Sequence, residues 1–332
     1  MRIFLAGDHR SGRGPANVTK YYIDNLPAGT LYQKRSGRAA RVPELLINTI
    51  KADVIVYSGY SKQNILGMKM ARLLKKPTAY IMHGCVEYEN EINLEPDEEM
   101  IRVDRKTMEL ADLVLAVSES FCRWLKDYYP MYAGKIDSLT NGIDKDLFRN
   151  ATERIEKERH MIFTIGGGMP RKKIKHICDA IQRLRNSYDS SLWLCVAGSQ
   201  GADSLKIDSY DFVKDLGVVT FDECLKLFDD AALFVQNSSF ETFGLAPLEA
   251  LVRQCPILCS RNVGALEVLK DLRGEDVIND CDDIEEIAEK IRYNMEYSNA
   301  ERLLAGIDWE SYSWKARSRA LIQKLSELVS KH

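Results

Sequence analysis

Apolar and β-branched residues recur along the chain in short unbroken runs, separated by longer stretches whose apolar positions return every three or four residues. In the first half the runs are RIFLAG (2–7), DVIVYSG (53–59), TAYIMHG (78–84), DLVLAVS (112–118) and IDSLTNG (136–142). Runs of this kind predict strands covered on both faces, as in a parallel sheet. Between them, KQNILGMKMARLLKK (62–76) and SFCRWLKDYY (120–129) have helical spacing. After NGIDKDLFRN and a charged connector (151–160) the rhythm restarts with MIFTIGG (161–167), LWLCVAG (192–198), LGVVTF (216–221), AALFVQN (231–237) and CPILCS (255–260). Helical segments follow these runs, for example IKHICDAIQRLRNSY (174–188). The pattern predicts an α/β protein of two doubly wound domains, residues 1–148 and 149–310. The final stretch, DWESYSWKARSRALIQKLSELVSKH, predicts a long amphipathic helix. Its two tryptophans suggest an anchor by which residues 311–332 return to the first domain.

Composition narrows the class. With 45% hydrophobic and 29% charged residues in 332, the chain has the balance of a globular protein. No apolar run reaches the roughly 18 residues of a membrane span, and MRIFLAGDHR turns polar too soon for a secretory leader. Eight scattered cysteines without a CxxC predict reduced, buried thiols in a cytoplasmic protein. The formal charge of −3 is unevenly spread: residues 1–85 carry 14 Lys/Arg against 4 Asp/Glu, and residues 86–112 carry 3 against 10. A basic first quarter suits an acceptor bearing phosphate, or peripheral contact with the anionic inner face of a membrane. A solvated basic face is the bland alternative. No aromatic-and-glycine pattern of a nucleic-acid reader accompanies the charge, so nucleic acid is not an expected partner.

Ligands of doubly wound sheets bind beyond the carboxyl ends of the strands, and with two domains the default site is a cleft between them. Three loops there carry chemistry. GDHRSGRGPANVTKYY places Gly12 and Gly14 after a strand, with Pro15 suited to a first helical turn. Its spacing is neither GxGxxG nor GxxxxGK[ST], which argues against a dinucleotide-dependent dehydrogenase and a P-loop NTPase. IGGGMPRKKIKH ends a strand at Gly166, Gly167 and Gly168 and opens a helix with Arg171, Lys172 and Lys173. Three cations at a positive helix end suggest an anion beside them, such as a diphosphate.

NSSFETFGLAPLEAL sets Glu241 and Glu249 across a helix start expected near Gly244. With a diphosphate at that helix end, the two carboxylates are best placed to accept hydrogen bonds from hydroxyls on either side of it, as a nucleotide sugar would offer. A glycosidase-like acid/base pair is the rival. Metal ligation lacks a nearby His or Asp in sequence. Asp280-x-Asp282 in NDCDD could hold a divalent ion, but it directly precedes IEEIAEKI, where helix capping explains it. His83 ends the run TAYIMHG, where it is either structural or turned toward the site.

These motifs together resemble glycosyltransferase family 4, the retaining GT-B enzymes built from two Rossmann-like domains. SSFETFGLAPLEAL is similar to its E-x7-E signature, SLTNGIDKDLF to its NG(V/I)D…F segment, DLVLAVSESFCRWL to its D-x-V-x-x-V-S-E strand and helix, and YSWKARSRALIQKL to its closing helix. The match covers most of the chain from about residue 78; the first 77 residues agree by pattern alone. The resemblance implies that Glu241 binds the donor sugar's hydroxyls, with Thr242, Phe243, Gly244 and Leu245 presenting backbone donors, and that Glu249 binds the ribose. It implies that Lys172 neutralises the leaving diphosphate, that Gly12 and Gly14 face that group, and that His83 lies near the reacting carbon. The family's G-R-L…K-G becomes Gly166-Gly167-Gly168…Lys172-Lys173, so Gly167 stands where an arginine is usual and Arg171 or Arg13 is left to supply that charge. Gln254 replaces a family glycine. The expected activity is transfer of a hexose from a nucleotide sugar, UDP-linked by preference, to a glycan or lipid-linked acceptor, with neither metal nor other cofactor. A non-catalytic accessory subunit of the same fold, and a sugar-nucleotide epimerase or hydrolase, are the alternatives.

Overall fold

The structure, a computed structural model, describes residues 1–12, 14–35, 37–143 and 158–332. Arg13, the part of NGIDKDLF from residue 144 on, the connector up to residue 157 and the expected boundary at 148/149 lie outside the described residues. By contact, the chain divides into a first unit of Met1–Tyr88, Pro96–Gly142 and Glu310–His332 and a second of Glu89–Glu95 and Ile143–Trp309.

The first unit is built on six parallel strands, β1 (Ile3–Gly7), β2 (Leu31–Tyr32), β3 (Val54–Ser58), β4 (Thr78–Met82), β5 (Leu113–Ala116) and β6 (Ile136–Ser138), in the order β2-β1-β3-β4-β5-β6. Every residue of β1, β3 and β4 is buried, which is why these strands read as unbroken apolar runs. Helices begin where a side-chain oxygen accepts an orphan N–H: Ser61 from Asn64, Asp97 from Met100, Ser118 from Phe121. The closing helix Trp314–Lys331 is capped by Ser313 and belongs to this unit. Trp314 stacks on Tyr21 at 4.8 Å and meets Tyr22 edge-on at 5.4 Å, and Lys324 pairs with Asp137. Trp314 thus supplies an aromatic anchor of the expected kind.

The second unit repeats the plan with β7 (Glu158–Ile165), β8 (Trp193–Ala197), β9 (Val213–Asp215), β10 (Ala231–Gln236), β11 (Ile257–Ser260) and β12 (Val277–Ile278), all parallel, in the order β12-β11-β10-β7-β8-β9. One face of the sheet packs Ile162, Leu194 and Leu233 against Ile177, Ile181, Ile287 and Ile291 of the helices Ile174–Ser187 and Ile284–Glu296.

Two sequence expectations need correction. The strand expected over 216–221 forms three residues earlier, as β9; Gly217 turns the chain at φ 64°, and Thr220 and Glu223 form a capping box for the helix Phe221–Asp230. Leu216 and Val218, the apolar residues that suggested a strand, are exposed. The helix expected near Gly244 starts at Ala246 and is only seven residues long. Gln254 lies just beyond it at φ 56°, a left-handed position that accounts for glycine being usual there. All eight cysteines are buried free thiols.

Candidate functional site

β7 and β10 are neighbours, so the loops leaving their carboxyl ends emerge side by side. After β7, the segment Gly166–Gly168 packs backbone to backbone on the loop after β8. The N–H groups of Gly166 and Gly167 donate to Ala197 O at 2.7 and 3.1 Å, and that of Gly168 to Ser199 O at 3.0 Å. A Cβ on Gly167 would stand 2.1 Å from Ser199 O, and its φ is +55°. The place of the family's arginine thus has no room for a side chain. The cations that follow do not open the helix directly. Arg171 and Lys172 form a 3₁₀ turn, Lys173 is left-handed at φ 51°, and the helix begins at Ile174.

After β10, the chain is tied to the loop after β11: Glu241 N–H donates to Asn262 O at 3.3 Å, and Glu241 O accepts from Gly264 N–H at 3.1 Å. This fixes the Glu241 side chain over the β7 loop. Its Oε2 accepts from Lys172 Nζ in a short contact, from Gln236 Nε2 at 3.0 Å and from Arg171 Nη1 at 3.4 Å. Among the described residues no donor reaches Oε1. Burial alone would raise the Glu241 carboxyl, but the Lys172 ammonium and the Arg171 guanidinium hold it below the usual carboxylate range. The same burial lowers Lys172 despite Glu241, whereas Arg171 is raised because Glu241 and Glu89 together outweigh its desolvation.

The three cations expected to await an anion therefore already face carboxylates of the chain. Lys172 pairs with Glu241, Arg171 with Glu241 and with Glu89 at 3.6 Å, and Lys173 with Asp282 at 2.8 Å. Arg171 N–H also donates to Asn93 Oδ1 at 3.3 Å, while its buried Nε has no partner. Asp283 rather than Asp280 caps the following helix, accepting from the N–H groups of Glu285 and Glu286.

Thr242 and Phe243 are buried, and Gly244 turns the chain at φ 79° toward the helix Ala246–Val252 that carries Glu249. Among the described residues no backbone carbonyl accepts from the N–H groups of Phe243, Gly244 or Leu245. Three consecutive free donors beside two cations form a setting for phosphate oxygens that does not require the macrodipole of so short a helix.

His83 and the glycine loop belong to the first unit. His83 Nε2 lies 2.9 Å from Ser58 Oγ, which lies 2.7 Å from Thr19 Oγ1, and Thr19 Oγ1 donates to Pro15 O at 2.9 Å. That last bond uses the Thr19 proton, so Ser58 donates to Thr19 and accepts from His83 Nε2–H. The chain of hydroxyls thus selects the tautomer whose Nδ1 carries the lone pair. Burial lowers the imidazole to about 4, so it is neutral at pH 7. Gly12 has φ +71° with open space around it, and Gly14 is the first residue of the helix Gly14–Asn25.

Sequence reasoning missed Glu89, Asn93 and Gln236. Glu89 and Asn93 are four apart on the helix Val86–Asn93, where the acidic run after His83 was visible as a charge imbalance but not as a partner for Arg171. Gln236 is the last residue of β10, and its position in the strand hid its amide.

Residues 3–147 match the family model described as Glycosyltransferase Family 4, and residues 145–304 match that described as Glycosyl transferases group 1. A probable sucrose-phosphate synthase of Thermosipho melanesiensis is 24% identical over 199 residues, 57% of this chain and 47% of that relative. The match thus spans about half the length of the curated relative. Among solved structures, HepE of Anabaena in complex with UDP and glucose superposes with a TM-score of 0.71 at 14% identity, covering 98% of this chain and 99% of that one. Sucrose-phosphate synthase of Thermosynechococcus elongatus superposes with a TM-score of 0.69 at 16% identity, with both chains fully covered. At such identities these likenesses speak for the fold.

Proposed function

The chain belongs to the group 1, family 4 glycosyltransferases with the GT-B fold, and from that premise we propose that it moves a hexosyl unit from a UDP-linked donor to a glycan or lipid-linked acceptor with retention. The observation that carries the proposal is the divided Glu241 carboxylate. Oε2 is fixed by Lys172, Arg171 and Gln236, and Oε1 is left to accept from a sugar hydroxyl. Lys172, Arg171 and the N–H groups of Phe243, Gly244 and Leu245 are the proposed diphosphate grips, with Arg171 in the role for which position 167 has no room. Glu249 is assigned the ribose hydroxyls. UDP and glucose in the HepE structure are consistent with this choice of donor.

In the proposed step the acceptor hydroxyl bonds to the anomeric carbon on the face from which the diphosphate leaves. The bond between that carbon and the diphosphate oxygen breaks, and the acceptor's proton passes to the departing oxygen. The chain's part is to place these groups and to stabilise the charge that develops on the diphosphate. Gly12 and Gly14 are proposed to face that group, and His83 to serve the transfer as a neutral imidazole. The cations make a metal ion dispensable for this charge, and no other cofactor is invoked. Lys172→Ala and Glu249→Ala, each shown to be folded by circular dichroism, are expected to lose transfer from UDP-hexose. Full turnover in both sinks the assignment.

A second reading, a non-catalytic accessory subunit, is favoured by one observation: Arg171, Lys172, Glu89 and Glu241 together carry no net charge. It predicts no thermal shift with UDP, GDP or their sugars, whereas the enzyme reading predicts stabilisation by UDP.

A further inference from the structure

The helices Arg38–Lys51 and Lys62–Leu73 of the first unit lie side by side and run the same way. Near their starts Arg41 Nη2 donates to Asn64 Oδ1 at 2.8 Å; at mid-length Leu45 sits on Gly67; at their ends Lys76 Nζ donates to the carbonyls of Ile50 and Ala52. This register brings Ile47 and Ile50 of one helix to the same end as Leu73 and Leu74 of the other. Their exposures are 50%, 58%, 80% and 40%, and Leu66, one face-repeat before Leu73, is 48% exposed. Large apolar side chains exposed together on two adjacent helices mark a surface that meets something other than water.

The charges around them are mostly positive; the acid shown on the outer face is Glu99, which pairs with Lys62 at the start of the second helix. Lys51, Lys69, Arg72 and Lys75 are exposed, and the sequence has no acidic residue from 54 to 86. Glu44, the one acid on the first helix, is taken by the N–H groups of Lys34 and Arg35 at 2.9 and 2.8 Å. Asp53 accepts from the N–H of Arg2 at 2.6 Å. Lys62 and Lys69 alternate with Leu66 and Leu73 along one helical face, the pattern of a helix lying in a lipid interface. The lysines argue against a protein partner, because lysine is depleted in the cores of such interfaces. A second copy of this chain is disfavoured too, since a two-fold contact would set these cations against themselves.

We propose that this two-helix face docks on the anionic headgroup surface of a lipid bilayer. Ile47, Ile50, Leu73 and Leu74 enter the headgroup layer, and Lys51, Lys69, Arg72 and Lys75 meet lipid phosphate. No helix among the described residues is long and apolar enough to cross a membrane, so the contact is peripheral. The inference goes beyond the donor site and does not depend on it.

The test is flotation of the full chain with vesicles of phosphatidylcholine alone and of phosphatidylcholine with a one-third share of phosphatidylglycerol. Binding is expected only to the anionic vesicles and is released by high salt. The double variant Ile50→Glu/Leu73→Glu should lower the partition coefficient on the order of tenfold or more. The triple variant Lys51→Glu/Lys69→Glu/Arg72→Glu should lower it about a hundredfold, given roughly fivefold per cation at such a surface. Both variants should keep the parent's melting curve and its thermal shift with UDP, because none of these residues touches the donor site. Absence of native binding to anionic vesicles overturns the proposal, as does native-level binding by both folded variants. Light scattering that shows a dimer abolished by Ile50→Glu/Leu73→Glu overturns it in favour of a second copy.

Discussion

Each unit follows its first strand with a glycine loop, and the two loops do opposite things. In the first unit Gly12 turns in open space, and the nearby polar groups, Thr19, Ser58 and His83, form a neutral hydrogen-bonded chain. In the second, the space beside Gly167 and Gly168 is taken by the loop after β8 and that beside Gly166 by the Lys172 side chain, and the polar groups near them are paired charges. The contrast teaches that glycines after a strand do not by themselves make a phosphate cradle. In the second unit they serve close packing, and the proposed diphosphate grips are instead side chains and the N–H groups of Phe243, Gly244 and Leu245.

The strongest way to break this comparison is to remove the carboxylate that faces the second loop from the end of β10. Glu241→Leu leaves Lys172 and Arg171 buried without their carboxylate, which should cost about 3–5 kcal/mol of stability and on the order of a thousandfold in transfer. The neutral counterpart, Ser58→Ala in the first unit, should cost only about 1 kcal/mol. Denaturant melts and initial rates on both variants decide the matter. Similar losses would mean that the second site is not held by its charges.

The glycine loops themselves give the next test. Gly167→Ala must push its Cβ into Ser199 O while keeping a left-handed φ, and should cost about 3 kcal/mol or more. Gly12→Ala meets only the cost of its φ, about 1 kcal/mol. Gly167→Arg should therefore damage the fold rather than restore the usual arginine, as read by its melting midpoint. A Gly167→Arg protein that is stable and faster than its parent would show that the second loop opens.

Acid should separate the two units. The His83 pKa falls from 6.5 in the unfolded chain to about 4 in the folded one, so the unfolded state binds the extra proton between those values. Its contribution is fully present above pH 6.5 and is lost as pH falls toward 4, on the order of 3 kcal/mol. Glu241 is also lowered, but from 4.5, so its contribution is lost only below that value. Stability measured against pH should thus fall in two steps, and His83→Gln should shrink only the upper one, to which His176, also lowered from 6.5 by burial, contributes the remainder. An unchanged upper step in that variant would mean that His83 does not titrate in the window.

Much of the fold and part of the site are legible in the sequence. The unbroken runs at 2–7, 53–59, 78–84, 161–167 and 231–237 read as strands because parallel strands are buried on both faces, and each of the five forms a largely buried strand. Glu241, Glu249 and Lys172 stand out because carboxylates and cations at strand-to-helix loops are chemically conspicuous. The two-residue strands β2 and β12 are too short to carry a period, and β9 is misplaced because Val218 looks apolar but lies in solvent. The partners of the cations are not legible at all. Glu89 precedes Arg171 by 82 positions, and only the folded chain shows that it pairs with that guanidinium.

Glu89 supplies the smallest and most discriminating test of whether the second loop is poised for a ligand or balanced without one. Glu89 and Glu241 cancel the charges of Arg171 and Lys172, so the proposed diphosphate would meet a cluster that is neutral overall. Glu89→Gln keeps the side chain's size and removes one negative charge, which leaves the cluster with one net positive charge. At a separation of ~7 Å and an effective dielectric constant near 40, one charge is worth roughly 1 kcal/mol, about fivefold in affinity. The dissociation constant for UDP measured by calorimetry should therefore fall about fivefold in Glu89→Gln, with the gain shrinking as salt rises. Unchanged or weakened binding would show that Glu89 holds Arg171 in place and does not merely cancel its charge. In that case the neutrality of the loop is a by-product of positioning.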